Sequence, residues 1–345
     1  MTAERDAWLK LTEEEALEPE LPILDPHHHL WDKPADRYMI DEVTGDFASG
    51  HNVVQTVFVE CDSMYRASGL EEMRSVGEVE FVRGIAAQGD SGLYGPTRLA
   101  AGIVGYADLG LGAAVEPVLE ALDQASSGRF RGIRYTCSWD ENPELRSPRM
   151  AGPGMLSDPK FRQGFDVLQR RGHGFDALVY HHQLLELVDL ANAFPGAVII
   201  LNHIGRPLGL GPYAGRRDEV FQAWQRDMTA MAACPNVVVK VGGLGNRISG
   251  FGWDTQPKPP DSAELVQATA PYYRHTIEAF GPERCMFESN FPVDKNSYSY
   301  TAVWNSFKIM TQDFTAAERT LLFHDAAAKA YRLPLLSELQ PAIKD

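Results

Sequence analysis

From Ile23 onward, short apolar runs alternate with longer amphipathic stretches. The short runs predict strands at Ile23–Pro26, Val53–Glu60, Val82–Ala87, Ala101–Tyr106, Gly132–Tyr135, Ala177–Tyr180, Ala197–Asn202, Val237–Val241 and Cys285–Glu288. Most have the Val and Ile content, and the length of about four to eight residues, of strands buried on both faces. Between them the spacing predicts helices at Gly69–Ser75, Ala114–Ala125, Pro159–Arg171, Gln183–Phe194, Arg217–Ala233 and Ala263–Phe280. Pro195-Gly196, Pro235 and Gly281-Pro282 supply stops after three of them. Thr301–Arg332 reads as two further helices, with a capping box at Thr315-Ala-Ala-Glu. Long loops are expected at Trp139–Asp158, Ile204–Gly215 and Gly243–Asp261, each after a strand.

Sustained strand–helix alternation without a break in composition points to one α/β domain. Roughly eight such units in ~250–300 residues favour a closed (β/α)8 TIM-type barrel over an open sheet. Residues 1–22 are acidic and irregular and read as an N-terminal arm, with the barrel and its C-terminal helices spanning 23–345. No strand leads into a Gly-x-Gly-x-x-Gly turn, and Gly242-Gly243-Leu244-Gly245 opens a loop rather than a helix, so dinucleotide binding has no support.

Composition narrows the function classes. Thirty-two Lys and Arg against 47 Asp and Glu give a formal charge of −15, a surface that repels phosphate backbones and argues against nucleic-acid binding. Cys61, Cys137, Cys234 and Cys285 form no CxxC pair, which suits a reduced cytoplasm and argues against a zinc-ribbon or disulfide framework. The N-terminal residues show no basic-then-apolar leader, and no window approaches the ~20 apolar residues of a membrane span. A cytoplasmic protein acting on a small molecule is expected, with homo-oligomerisation left open.

Candidate chemistry gathers at strand ends. In Leu24-Asp-Pro-His27-His28-His29-Leu-Trp-Asp32, residues two apart share a face, so His27 and His29 point together and His28 points away. At the C-terminal mouth of a barrel two imidazoles can share a divalent metal or polarise a carbonyl directly. His203 ends another apolar strand, in Leu201-Asn-His-Ile-Gly-Arg206-Pro, and His181-His182 end the one before, with one of that pair facing inward. Glu288 and Asn290 share one face after the last strand, and a carboxylate so deep needs a cation, a metal or a proton-transfer role. Lys240 and Arg134 are the interior cations that offer Glu288 a purely structural partner. Arg134 and Arg206 could each hold a substrate carboxylate bidentately.

These pieces resemble the amidohydrolase superfamily, and within it the amidohydrolase-2 branch that includes sugar lactonases, pyrone-dicarboxylate lactonase and sulfomuconolactone hydrolase. The matching segments are Asp25-Pro-His-His-His-Leu-Trp-Asp32, Arg131-Gly-Ile-Arg-Tyr135, Leu201-Asn-His-Ile-Gly-Arg-Pro207, Val237-Val-Val-Lys-Val-Gly-Gly243 and Met286-Phe-Glu-Ser-Asn-Phe-Pro292, in the family's order. The resemblance implies a hydrolase opening a small carboxylated lactone. It implies a divalent metal, zinc first, on His27, His29, His203 and Glu288, with metal-independent carbonyl polarisation as the alternative. His182, Arg134, Arg206 and Asp294 would contact substrate. One departure stands out: the position that usually carries the water-activating Asp is Asn290, an amide that cannot act as a base. Glu288 then becomes the expected base, with Asn290 and His203 completing the catalytic set. The alternatives are a metal-dependent decarboxylase of an aromatic acid and a non-catalytic ligand-binding barrel.

Overall fold

In the computed structural model, which describes residues 3–34, 36–146 and 151–339, eight parallel strands follow one another in chain order. They are β1 (Pro22–His28), β2 (Asn52–Val59), β3 (Arg98–Gly105), β4 (Phe130–Thr136), β5 (Gly174–Leu178), β6 (Ile199–Leu201), β7 (Val237–Val241) and β8 (Cys285–Phe287). Closure comes from the chain leaving β8. Asn290 N donates to His27 O at 3.0 Å, and His29 N donates to Phe291 O at 2.8 Å. Helices surround the sheet, as in a (β/α)8 barrel.

One expected strand is a helix. Val82–Ala87 lies inside the helix Val76–Gly89, and the helix expected at Gly69–Ser75 reduces to the short turn Glu71–Met73. Val79, Val82, Ile85, Ala86 and Gly89 are buried while Glu80, Arg83, Gly84 and Ala87 are exposed. That three-to-four-residue rhythm is helical. The final helices are Tyr300–Met310 and a second run starting at Ala316, capped by Thr315 and Glu318 and interrupted by a π-turn at Leu321–Asp325. Of the loop expected at Trp139–Asp158, residues 147–150 lie outside the described residues, and the rest holds two short 3-10 turns.

Two apolar layers result. Outward-facing strand residues such as Ile103, Ile133 and Phe287 pack against the helices. Inward-facing Leu24, Val57, Val59, Ile200 and Met286 fill the lower barrel, where Tyr331 and Leu333 of the C-terminal segment join them. The N-terminal segment forms the helix Ala3–Leu9 and then runs along the barrel. Lys308 Nζ donates to Leu17 O at 2.6 Å and Glu18 O at 2.9 Å, and Trp8 Nε1 donates to Gln256 O at 2.9 Å. Among the described residues no helix is long and apolar enough to cross a membrane.

Candidate active site

The polar upper barrel begins at β1. A register shift between Asp25 and His28 accompanies the strand's end. His27 and His29 turn inward, their Nε2 atoms 3.2 Å apart. His28 turns to the other side, its Nε2 2.9 Å from Thr56 Oγ1 and its ring edge-on to Phe47 and Phe58.

Leaving β6, the backbone is left-handed at His203 (φ 54°), Ile204 (φ 49°) and Arg206 (φ 45°). Each such non-glycine residue costs of order 1–3 kcal/mol, and such strain concentrates at functional sites. Here the bend brings His203 Nδ1 within 2.7 Å of Glu288 Oε1, which also accepts from His203 N at 3.2 Å. The other carboxylate oxygen, Oε2, is 2.7 Å from His27 Nδ1 yet makes no hydrogen bond. Two glycines leave the room. A Cβ on Gly243 (φ 76°) would sit 2.2 Å from His203 Nδ1, and one on Gly242 would sit 2.5 Å from Glu288 Cγ.

Burial governs the charges. It pushes the Glu288 carboxyl up to about 8 against the pull of Lys240 and Arg134, and it holds His27, His29 and His203 well below the ordinary imidazole range, where Lys240, Arg206 and Arg134 add to the effect. Neutral imidazoles result. The cations that the sequence offered as partners for Glu288 are engaged elsewhere: Lys240 Nζ is 2.7 Å from Asp176 Oδ1, and Arg134 Nε is 2.7 Å from Glu60 Oε1. Barrel geometry sorts these pairs, because β7 and β5 aim Lys240 and Asp176 at each other below the histidines.

His27, His203 and Glu288 each offer a ligand atom, and these atoms lie within 4.8 Å of one another. His29 meets this trio only through the opposite nitrogen of His27, so the four expected ligands do not converge on one point. The trio suits a divalent ion: two neutral imidazoles, one carboxylate, and a buried Oε2 lacking a hydrogen-bond partner.

A cavity of about 630 Å³ opens above, with His29, Arg134, Tyr180, His203, Arg206 and Asn290 in its wall. Glu288 is fully buried one layer beneath, so His203 and not Glu288 is the member of the pair that faces the cavity. Arg206 makes no side-chain hydrogen bond or ion pair among the described residues; its guanidinium lies 5.3 Å from the Tyr180 ring centre. Asn290 donates from Nδ2 to Asp294 Oδ1 at 2.8 Å.

Two expected substrate contacts sit elsewhere. Asp294 is fully buried and accepts from Gly245 N at 3.0 Å and Tyr298 OH at 2.7 Å, which braces the loops. His182 lies in a neighbouring cavity, stacked on Tyr213 and 3.0 Å from Trp139 O. His181, its neighbour, is buried against Leu208 N at 3.4 Å. Sequence reading missed Gly242, Gly243, Asp176 and Tyr331. The double glycine was the signal available, since adjacent glycines after a strand mark a close backbone approach.

The family described as amidohydrolase matches residues 24–333. The uncharacterized protein y4mH of Sinorhizobium fredii is 33% identical over 337 residues, covering 91% of this chain and 99% of its own length. The L-fucono-1,5-lactonase of Burkholderia multivorans is 27% identical over 238 residues, 69% of this chain and 73% of its own. A crystal structure of an amidohydrolase from Burkholderia multivorans with bound zinc superposes with a TM-score of 0.69 at 23% identity, covering 90% of this chain and 99% of that one.

Proposed function

The chain belongs to the amidohydrolase family, and from that premise we propose that it opens a small carboxylated lactone by attack of water. The lactonase among its relatives supports the reaction class. The observation that carries the reading is the pair His203–Glu288, with Nδ1 and Oε1 2.7 Å apart. Above about 8, where Glu288 is ionised, its carboxylate accepts from Nδ1 and leaves Nε2 of a neutral imidazole free to take a proton, the arrangement of a general base held by an orienting acid. Glu288 thus acts through His203, a change from the direct role that its spacing to Asn290 implied.

His203 takes a proton from water as the water oxygen bonds to the lactone carbonyl carbon. The charge that develops on the carbonyl oxygen meets donors in the cavity wall, the second amide N–H of Asn290 among them. The ring C–O bond then breaks, and the leaving oxygen takes the proton back from His203. The product is a hydroxy acid, so each turnover releases one proton to solution near neutral pH. Arg206, one of the wall cations without an ionic partner among the described residues, holds the substrate carboxylate; Arg134 is already paired with Glu60. His27, His203 and Glu288 would hold a divalent ion such as Zn²⁺ as the alternative to the metal-free His203–Glu288 base pair, since a ligating His203 is no longer free to take the proton. Bound there, such an ion supplies Lewis-acid polarisation of the carbonyl.

The test is a panel of neutral and carboxylated lactones followed by alkali consumption, with metal analysis of the purified protein and assays before and after chelation. Carboxylated lactones should be consumed fastest. Absence of turnover on every lactone, with added zinc and without, overturns the reading, and CO₂ release from aromatic acids would replace it with the decarboxylase.

A further inference from the structure

Asp294 follows β8 and is fully buried behind the cavity wall, where it takes no direct part in the reaction. Its two carboxylate oxygens meet three donors. Gly245 N at 3.0 Å and Tyr298 OH at 2.7 Å reach Oδ2, and Asn290 Nδ2 at 2.8 Å reaches Oδ1. Gly245 belongs to the β7 exit and Tyr298 to the chain beyond β8, so the carboxyl group is held from two sides.

Of these residues, Asn290 lines the cavity. Its backbone is left-handed, with φ 56°, and is tied on both sides: its N donates to His27 O at 3.0 Å and its O accepts from Asp294 N at 3.1 Å. These contacts aim the side chain but leave open which end of the amide faces the cavity. Asp294 closes that choice. Burial pushes its carboxyl up to about 7, with Glu288 adding to the rise and the three hydrogen bonds opposing it. Above that value a carboxylate only accepts, so Asn290 must turn Nδ2 toward it and Oδ1 away. Asn290 Oδ1 has no hydrogen-bond partner among the described residues and is not sealed from solvent. It is an open acceptor in the cavity wall.

A water that attacks a carbonyl carbon has two protons to place. His203 takes one, and an acceptor for the other fixes the direction of the attacking lone pair. His203 and Asn290 share the wall of one cavity. We propose that Asp294 is a positioning residue that fixes the Asn290 amide with Oδ1 toward the cavity, where Oδ1 accepts a hydrogen bond from the attacking water. The second N–H of the same amide stays open for the carbonyl oxygen. An amide cannot take the proton, so His203 moves the proton and Asn290 orients the water. The proposal rests on the reading of water attack assisted by His203, though its spectroscopic test needs no substrate.

The experiment uses the full chain labelled with ¹⁵N-asparagine, at about pH 8, where the ionised form of Asp294 outweighs the neutral one about ten to one. Asn290 signals are identified by their loss in Asn290→Gly, a residue that suits the left-handed backbone there. The native side-chain amide should show one proton far downfield and slow to exchange, held by the carboxylate, and one in the ordinary range. Asp294→Asn keeps the size of the side chain. Because Gly245 N only donates, the new amide must turn its oxygen to Gly245 and its NH₂ to Asn290. Asn290 should then reverse, and its downfield proton should vanish. For the lactone identified by the panel, kcat should fall about 10–100-fold with KM little changed, the scale of a misplaced reacting group. Tyr298→Phe loosens the brace but leaves the Asp294–Asn290 contact, and should keep the native spectrum and a kcat close to native. A native spectrum without the downfield proton overturns the proposal, whether or not Asp294→Asn folds. A folded Asp294→Asn that loses that proton yet keeps native kcat overturns it as well, and so does an equal loss of kcat in Tyr298→Phe, which would reduce Asp294 to a loop brace. The expected spectra in a protein that hydrolyses no lactone would uphold the orientation of Asn290 by Asp294 and discard the lactonase reading instead.

Discussion

Among the described residues Glu288 pairs with two histidines and no cation, so its contribution is read by removing its charge at constant size. In Glu288→Gln, His203 keeps an amide oxygen as acceptor at Nδ1 but loses the negative charge that balances the imidazolium. kcat should drop by ~10²–10⁴-fold, as for other general-base assemblies, with KM changed far less. Steady-state kinetics check this, and near-native kcat would remove Glu288 from the reaction. Arg206 is tested by discrimination. A charged hydrogen bond is worth about 1.5–3 kcal/mol, so Arg206→Met should raise KM for a carboxylated lactone by roughly 10–150-fold. It should leave a neutral lactone almost unaffected. Equal losses on both substrates would place the carboxylate elsewhere.

Among the elements, the β7 exit leaves the room that the His203–Glu288 pair occupies. Gly243→Ala combines a left-handed φ of 76° with a Cβ 2.2 Å from His203 Nδ1. Backbone and ring must move apart, so His203 should swing off Glu288. Activity should fall at least tenfold while the circular dichroism of the barrel persists. The N-terminal arm gives a pH signature. Burial depresses the Lys308 ammonium to about 8, below the ordinary lysine value of about 10.4. Between these values the unfolded chain binds more protons than the folded one, so this residue makes stability rise with pH. Its contribution is complete above about 10.4 and is lost as pH falls to about 8. Urea midpoints across that window should climb less steeply for Lys308→Met than for the native chain. Parallel slopes would show that the lysine titrates alike in both states.

Across the whole molecule, the fold was legible because a parallel barrel buries its strands on both faces and leaves apolar runs in a repeating order. The inward pairing of His27 with His29 followed from the two-residue period of β1 alone. Val82–Ala87 misled for the same reason that the other runs informed: a short apolar stretch reads alike in a buried strand and in a helix face. Only packing on the sheet separates them. Which carboxylate meets which cation was not legible. Lys240 and Asp176 are far apart in sequence, and the choice of Asp176 over Glu288 depends on how β5, β7 and β8 tilt around the barrel. The sequence by itself determined the alternation, the strand-end histidines and the amide at Asn290, because each is set by local spacing or residue identity. The tertiary structure decided that Glu288 lies behind His203, that Asp294 and His182 turn away from the cavity, and that Lys240 reaches Asp176. Those outcomes depend on side chains converging across the barrel from distant strands, and no local pattern encodes that convergence.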